Sequence, residues 1–151
     1  MERVIGILFL GLSVLLPVHA LAGPAEDASA VIDRWATAFN ANDVDAVLKL
    51  YTPDALVHGP SSPKLNAGRD AIRAYFRSHP GSGNKVTIGE RHMVVLGDAA
   101  VTGVGFYTFN ALQDGHPVPR PARFTFVMVR RGNDWLIAHD HSSVLPPAPL
   151  Q

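Results

Sequence analysis

The chain has 151 residues, no cysteine, and 13 basic against 13 acidic side chains, so its formal charge is zero. A neutral chain with scattered basic residues has no electrostatic footprint for nucleic acid or an anionic lipid surface, and both partners are disfavoured. Without cysteines there is no disulfide framework, so packing or self-association must hold the fold together.

Met1-Glu2-Arg3 precedes an apolar run from Val4 to Val18, and Ala20-Leu21-Ala22 offers a small-x-small cleavage site. The pattern reads as a signal peptide over residues 1–22, cut on export to the periplasm or beyond. An uncleaved anchor is the competing reading, but the run is shorter than the ~20 apolar residues a spanning helix needs, and no second one follows. The mature part, about 130 residues, suffices for one core and not for two. One domain is expected over 23–145, with a proline-rich tail at 146–151.

Ala28, Ile32, Trp35 and Phe39 recur at steps of three and four, the spacing of one helical face. Asp43 is placed to cap a second helix that buries Val44, Val47, Leu48 and Tyr51, and the two helices form a hairpin. Thr52-Pro53-Asp54 ends that helix, Ala55 to His58 reads as a short strand, and a third helix from Arg69 to Ser78 presents Ile72, Tyr75 and Phe76. His79 to Gly83 stops it. Four strands follow, Val86 to Leu96, Ala99 to Leu112, Arg123 to Arg131 and Trp135 to Val144, separated by Gly97-Asp98, Asp114-Gly115 and Gly132-Asn133. Short turns favour an antiparallel meander. Helices first and strands afterwards imply an α+β fold, with helices covering one face of a curved sheet.

In the last strand, alternation puts His139 and His141 on one face with Ile137, and Asp140 and Ser142 on the other with Ala138. The polar groups among these need partners if buried, so this strand is the natural wall of a pocket.

The helix hairpin, Leu50-Tyr51-Thr52-Pro53-Asp54-Ala55, the short helix and four long strands ending in Trp135-Leu136-Ile137 resemble the nuclear transport factor 2-like superfamily. Val95-Leu96-Gly97-Asp98-Ala99-Ala100 and Arg130 through Ser142 are similar to the association domain of calcium/calmodulin-dependent protein kinase II. The Arg-Phe-Thr-Phe-Val strand and the His-Ser-Ser-x-x-Pro close resemble SnoaL-like, SgcJ/EcaC-type bacterial exported proteins. The resemblance implies a cone-shaped, cystatin-like barrel around a pocket, and a homodimer or higher oligomer formed through the outer sheet face. It implies no kinase: a Gly-rich nucleotide loop, a Val-Ala-Ile-Lys strand and a His-Arg-Asp loop are missing, and no cofactor is expected. The association domain's pocket histidine and arginines correspond to Ile72, Phe106, Phe126 and Ser142, so the expected ligand is a small apolar molecule.

If Phe106, Phe126 and Ser142 line a cavity, alternation adds Val104, Phe124, Met128 and Asp140, with Trp35 closing it from the helical layer. Desolvation among aromatics would raise the Asp140 pKa into a range useful for proton abstraction, as in ketosteroid isomerases and SnoaL-like cyclases, with Tyr51, His58 or the Ser142 hydroxyl steering substrate. The competing reading has Asp140 merely securing the strand end, and Trp35 and Tyr51 serving as core. His139 and His141 would hold a metal only if His58 or His92 supplied a third ligand; an interface role, shared with Arg123, is preferred and no metal is expected. Arg123 at the cavity mouth, binding an anion, remains the alternative. Two functions follow: an exported homo-oligomeric small-molecule-binding domain, or a cofactor-independent isomerase, cyclase or dehydratase. A purely structural oligomer is the third.

Overall fold

The computed structural model describes residues 23–60, 62–77 and 84–146. The expected leader at 1–22, the helix stop at 78–83 and positions 147–151 of the tail lie outside the described residues. The element order is α1 (Pro24–Asn40), α2 (Val44–Lys49), β1 (Tyr51–His58), β2 (Asn66–Ala67), α3 (Gly68–Arg77), β3 (Lys85–Gly97), β4 (Ala100–Gln113), β5 (His116–Arg131) and β6 (Asp134–Val144). The fold is α+β, with one curved, unclosed six-stranded sheet in the order β2-β1-β6-β5-β4-β3. No described helix is long and apolar enough to cross a membrane.

Pro24 at the first turn of α1 wastes no hydrogen bond, and Glu26 and Asp27 there complement the helix dipole. Ala28, Val31, Ile32, Trp35 and Ala38 form its buried stripe. Asn42 takes a left-handed φ of 61° between the helices, and the Asp43 carboxylate accepts from the Ala46 N–H at 2.9 Å, the expected cap of α2. Asn40, at the end of α1, works as a one-residue strand: its amide donates to Val86 O at 2.9 Å and accepts from Val86 N at 2.7 Å, fastening α1 to the start of β3. Arg91 on β3 adds a bidentate pair with Asp33 at 2.6 and 2.8 Å.

Tyr51 departs from the expected pattern. It opens β1 instead of closing the second helix, because α2 ends at Leu50, whose carbonyl accepts from Ile137 N at 2.7 Å and starts a parallel pairing with β6. Pro53 restricts Thr52 to extended backbone, so the segment continues as strand. The expected meander holds for β3 to β6, all antiparallel, while β1 joins β6 in parallel and β2 pairs β1 antiparallel.

The strand expected from Arg123 begins at His116. Prolines at 117, 119 and 121 are tolerated because Arg130 N donates to Ala99 O next to β4, so even-numbered N–H groups of β5 point toward β4 and the proline nitrogens point away. On that far side β6 pairs with β5 only from Ala122 onward, so no ladder hydrogen bond is lost.

The inner face of β4 carries Val101, Gly103, Gly105, Tyr107 and Phe109, which places Val104 and Phe106 outside. The two glycines are required by close approach: a Cβ on Gly103 would lie 2.9 Å from Ile32 Cδ1, and one on Gly105 only 2.5 Å from Glu90 O. Gly105→Ala is therefore expected to destabilise the fold by about 1–3 kcal/mol, since the obstacle is backbone; urea unfolding measures this, and an unchanged midpoint would refute the packing.

Candidate functional site

Between α1, α3 and the inner face of β4 to β6 the fold encloses a cavity of about 280 Å³. Trp35 and Phe39 contribute from α1, Tyr75 and Phe76 from α3, and Tyr107 and Phe109 from β4. The rings form a continuous aromatic surface: Trp35 stacks on Phe39 at 5.3 Å and on Tyr107 at 6.2 Å, and Tyr107 stacks on Phe124 at 5.3 Å. Against this apolar wall β6 sets two polar side chains, Asp140 and Ser142.

A β-bulge decides which residues of β6 face inward. Met128 pairs with Ile137 and Val127 with His139, so Ala138 is an extra residue with no partner on β5. Simple alternation from the buried Ile137 would have turned His139 and His141 inward; the inserted residue shifts the phase, so that Ile137, Asp140 and Ser142 all point inside.

Asp140 is 3% exposed, and its Oδ2 accepts from the Tyr51 hydroxyl at 2.7 Å. Its Oδ1 is buried with no hydrogen-bond partner. Burial raises the carboxyl to about 7, with the Tyr51 hydrogen bond opposing the shift. The Tyr51 phenol is pushed far up by burial and by the neighbouring carboxylate. The indole N–H of Trp35 lies near the Tyr51 oxygen without reaching hydrogen-bond geometry. Burial and the Asp140 charge likewise raise Tyr107, against the pull of nearby Ser142. At neutral pH the site thus holds one carboxyl near half-protonation, flanked by phenols that stay protonated. Such a group exchanges a proton with a bound molecule at little cost.

Of the other residues expected on the cavity wall, Phe124, Phe126 and Met128 are buried in the core behind it, and Ile72 is fully buried on the inner side of α3. Val104 and Phe106 do not line it: Phe106 is 48% exposed on the outer face. Apolar alternation does not reveal the phase of β4 because its inner positions include two glycines. Tyr107 and Phe109 occupy the wall instead, and the alternating Gly-Gly-Tyr-Phe positions mark the inner face in the sequence. Arg123 is exposed on the outer face, its Nε donating to Ser143 Oγ at 3.0 Å; the cation at the cavity rim is Arg120.

His58 stands away from Asp140's cavity side, its ring edge-on to His141 at 5.5 Å, and His139 lies two rungs along, opposite Leu56. Burial, then the neighbouring His141 and His58, hold His139 below the ordinary imidazole range. Among the described residues no group of three or more His, Asp or Glu side chains is arranged to hold a metal.

The family model described as a SnoaL-like domain matches residues 28–148. A solved protein from Xanthomonas campestris, assigned as a calcium/calmodulin-dependent protein kinase II association domain, is 30% identical, with a TM-score of 0.76 over 89% of this chain and 100% of its own. A ketosteroid isomerase-like protein from Erwinia carotovora atroseptica is similar at 22% identity and a TM-score of 0.68, covering 82% of this chain and 97% of that one. An NTF2-like protein with a cystatin-like fold from Novosphingobium aromaticivorans matches at 18% identity and a TM-score of 0.71, over 82% and 83%. With most of its length matched by the family model, a bulged sheet and an acid inside its hollow, the chain belongs to the SnoaL-like family of the NTF2-like fold.

Proposed function

We propose that the mature chain is an exported, homo-oligomeric domain, without kinase activity, that binds a small, mostly apolar molecule in the aromatic cavity. The observation that carries this reading is Asp140, a carboxyl with one unpartnered oxygen on a wall rich in aromatic side chains. Pockets for small molecules combine this sort of apolar lining with a few convergent polar groups. Self-association is supported by the outer sheet face, where Phe106 is 48%, Val94 49% and Leu56 38% exposed, and by the likeness to the Xanthomonas association domain. His58, His139, His141 and Arg123 sit on that face and belong to the interface.

A second reading, a cofactor-independent isomerase, cyclase or dehydratase, is favoured by the pKa of about 7 at Asp140. There Asp140 is the general base and Tyr51 positions it by holding Oδ2, which leaves Oδ1 for the substrate's proton. His58 takes no part in this chemistry, since it does not line the cavity.

Native mass spectrometry of protein recovered after export tests the first reading. The expected result is a dimer or larger assembly beginning at Gly23 and carrying a small-molecule adduct. A bare full-length monomer would overturn it.

A further inference from the structure

The cavity is asymmetric in charge. Among the described residues of its lining, Asp140 is the one acidic side chain and Arg120 the one basic side chain, and the strand register sets them far apart. On β5, Arg120 is six positions before Phe126, the cross-strand partner of Asp140, and on the same face; six residues of strand span about 20 Å. Arg120 is set between Pro119 and Pro121 and opposite Phe109, whose ring also lines the cavity. The flanking prolines limit backbone freedom at Arg120, whose side chain stands exposed on the rim. Among the described residues it makes no ion pair.

Building on the binding reading above, the geometry points to a flat, ring-containing monocarboxylic acid as the class of ligand, its carboxylate on Arg120 at the mouth and its apolar rings inside. The ring system would lie between Trp35, Phe39, Tyr107 and Phe109, and its inner end would face Asp140. A single planar guanidinium fits one carboxylate through two parallel hydrogen bonds; a doubly charged phosphate would call for a second cation, and the described residues of the lining supply none. The separation also explains how an anionic ligand tolerates an acid in the same cavity: its charge stays at the rim, and only its apolar or proton-bearing end approaches Asp140.

The test compares two probes of nearly equal shape, a naphthalene carboxylate and its uncharged carboxamide, by titration calorimetry on the wild-type chain and on Arg120→Gln. The wild type is expected to bind the carboxylate about tenfold more tightly than the amide. In Arg120→Gln that preference should fall to near unity while amide affinity stays as in the wild type, and in the wild type it should shrink at high salt. Equal affinities in the wild type, or a preference that survives Arg120→Gln, would overturn the acid class and leave the cavity as a binding site. Failure of both probes to bind the wild type would overturn the acid class and count against the cavity itself.

Discussion

Asp140→Asn is expected to stabilise the fold by a few kcal/mol at pH 8 and to make little difference at pH 4. The folded-state pKa of about 7 lies above the ordinary 3.8, so between those values the native state keeps a proton that the unfolded chain has released. Stability from this group is therefore fully present below about pH 4, falls as pH rises, and is lost once the pH passes 7. A shift of that size corresponds to something on the order of 4 kcal/mol. Asn is neutral throughout, and its carbonyl still accepts from Tyr51. Asp33, lowered by Arg91, and His139, lowered by burial, tilt the wild-type profile the other way, so the difference between wild type and variant is the quantity to read. Urea unfolding at pH 4, 6 and 8 would show the two curves diverging upward in pH; parallel curves would mean Asp140 ionises as it does in water. Turnover of the cavity's own ligand unchanged by Asp140→Asn would leave the binding role alone and remove the catalytic one.

Phe126→Ala should cost about 3–5 kcal/mol, enough to unfold a marginal domain. Phe126 is 0% exposed, meets Trp35 edge-on at 5.4 Å and lies 5.0 Å from Phe124, at the point where α1 sits on the sheet. Removing the ring forfeits its burial and opens a void under Trp35, the residue that forms the cavity's inner wall. Phe126→Leu retains much of the volume and should lose only about 1–2 kcal/mol, so it supplies a measurable midpoint if the alanine variant does not fold. Because Trp35 abuts the ring, its fluorescence should change in the leucine variant. A loss below about 1 kcal/mol for the alanine variant would show that Phe126 is not a core contact.

Local periodicity reads well where one face is uniformly apolar. The stripe on α1, the Asp43 cap and the alternation of Phe124, Phe126 and Met128 are of this kind, and each stands in the fold as its spacing indicates. The period is lost where the backbone itself comes close. Gly103 and Gly105 leave no side chain on the inner face of β4, so the visible hydrophobics, Val104 and Phe106, are the outer ones. Tyr51 fits a helical face as well as a strand, and only pairing with β6 selects the strand. Prolines around Arg120 suggest a loop until the empty side of β5 is known, and a strand that starts only at Arg123 leaves Arg120 outside the sheet.

The order of helices and strands, the α+β class and the presence of an acid and a hydroxyl on the last strand are all determined by the amino-acid sequence, because short-range patterning sets them. The inward turn of Asp140 belongs to the tertiary structure, since it depends on one extra residue at Ala138 relative to β5. So does the contact with Tyr51, 89 positions away in the chain. Burial raises the carboxyl and Tyr51 occupies one of its oxygens, leaving the other buried without a partner; both effects need the folded enclosure, because in water a carboxylate keeps its hydration and its ordinary pKa.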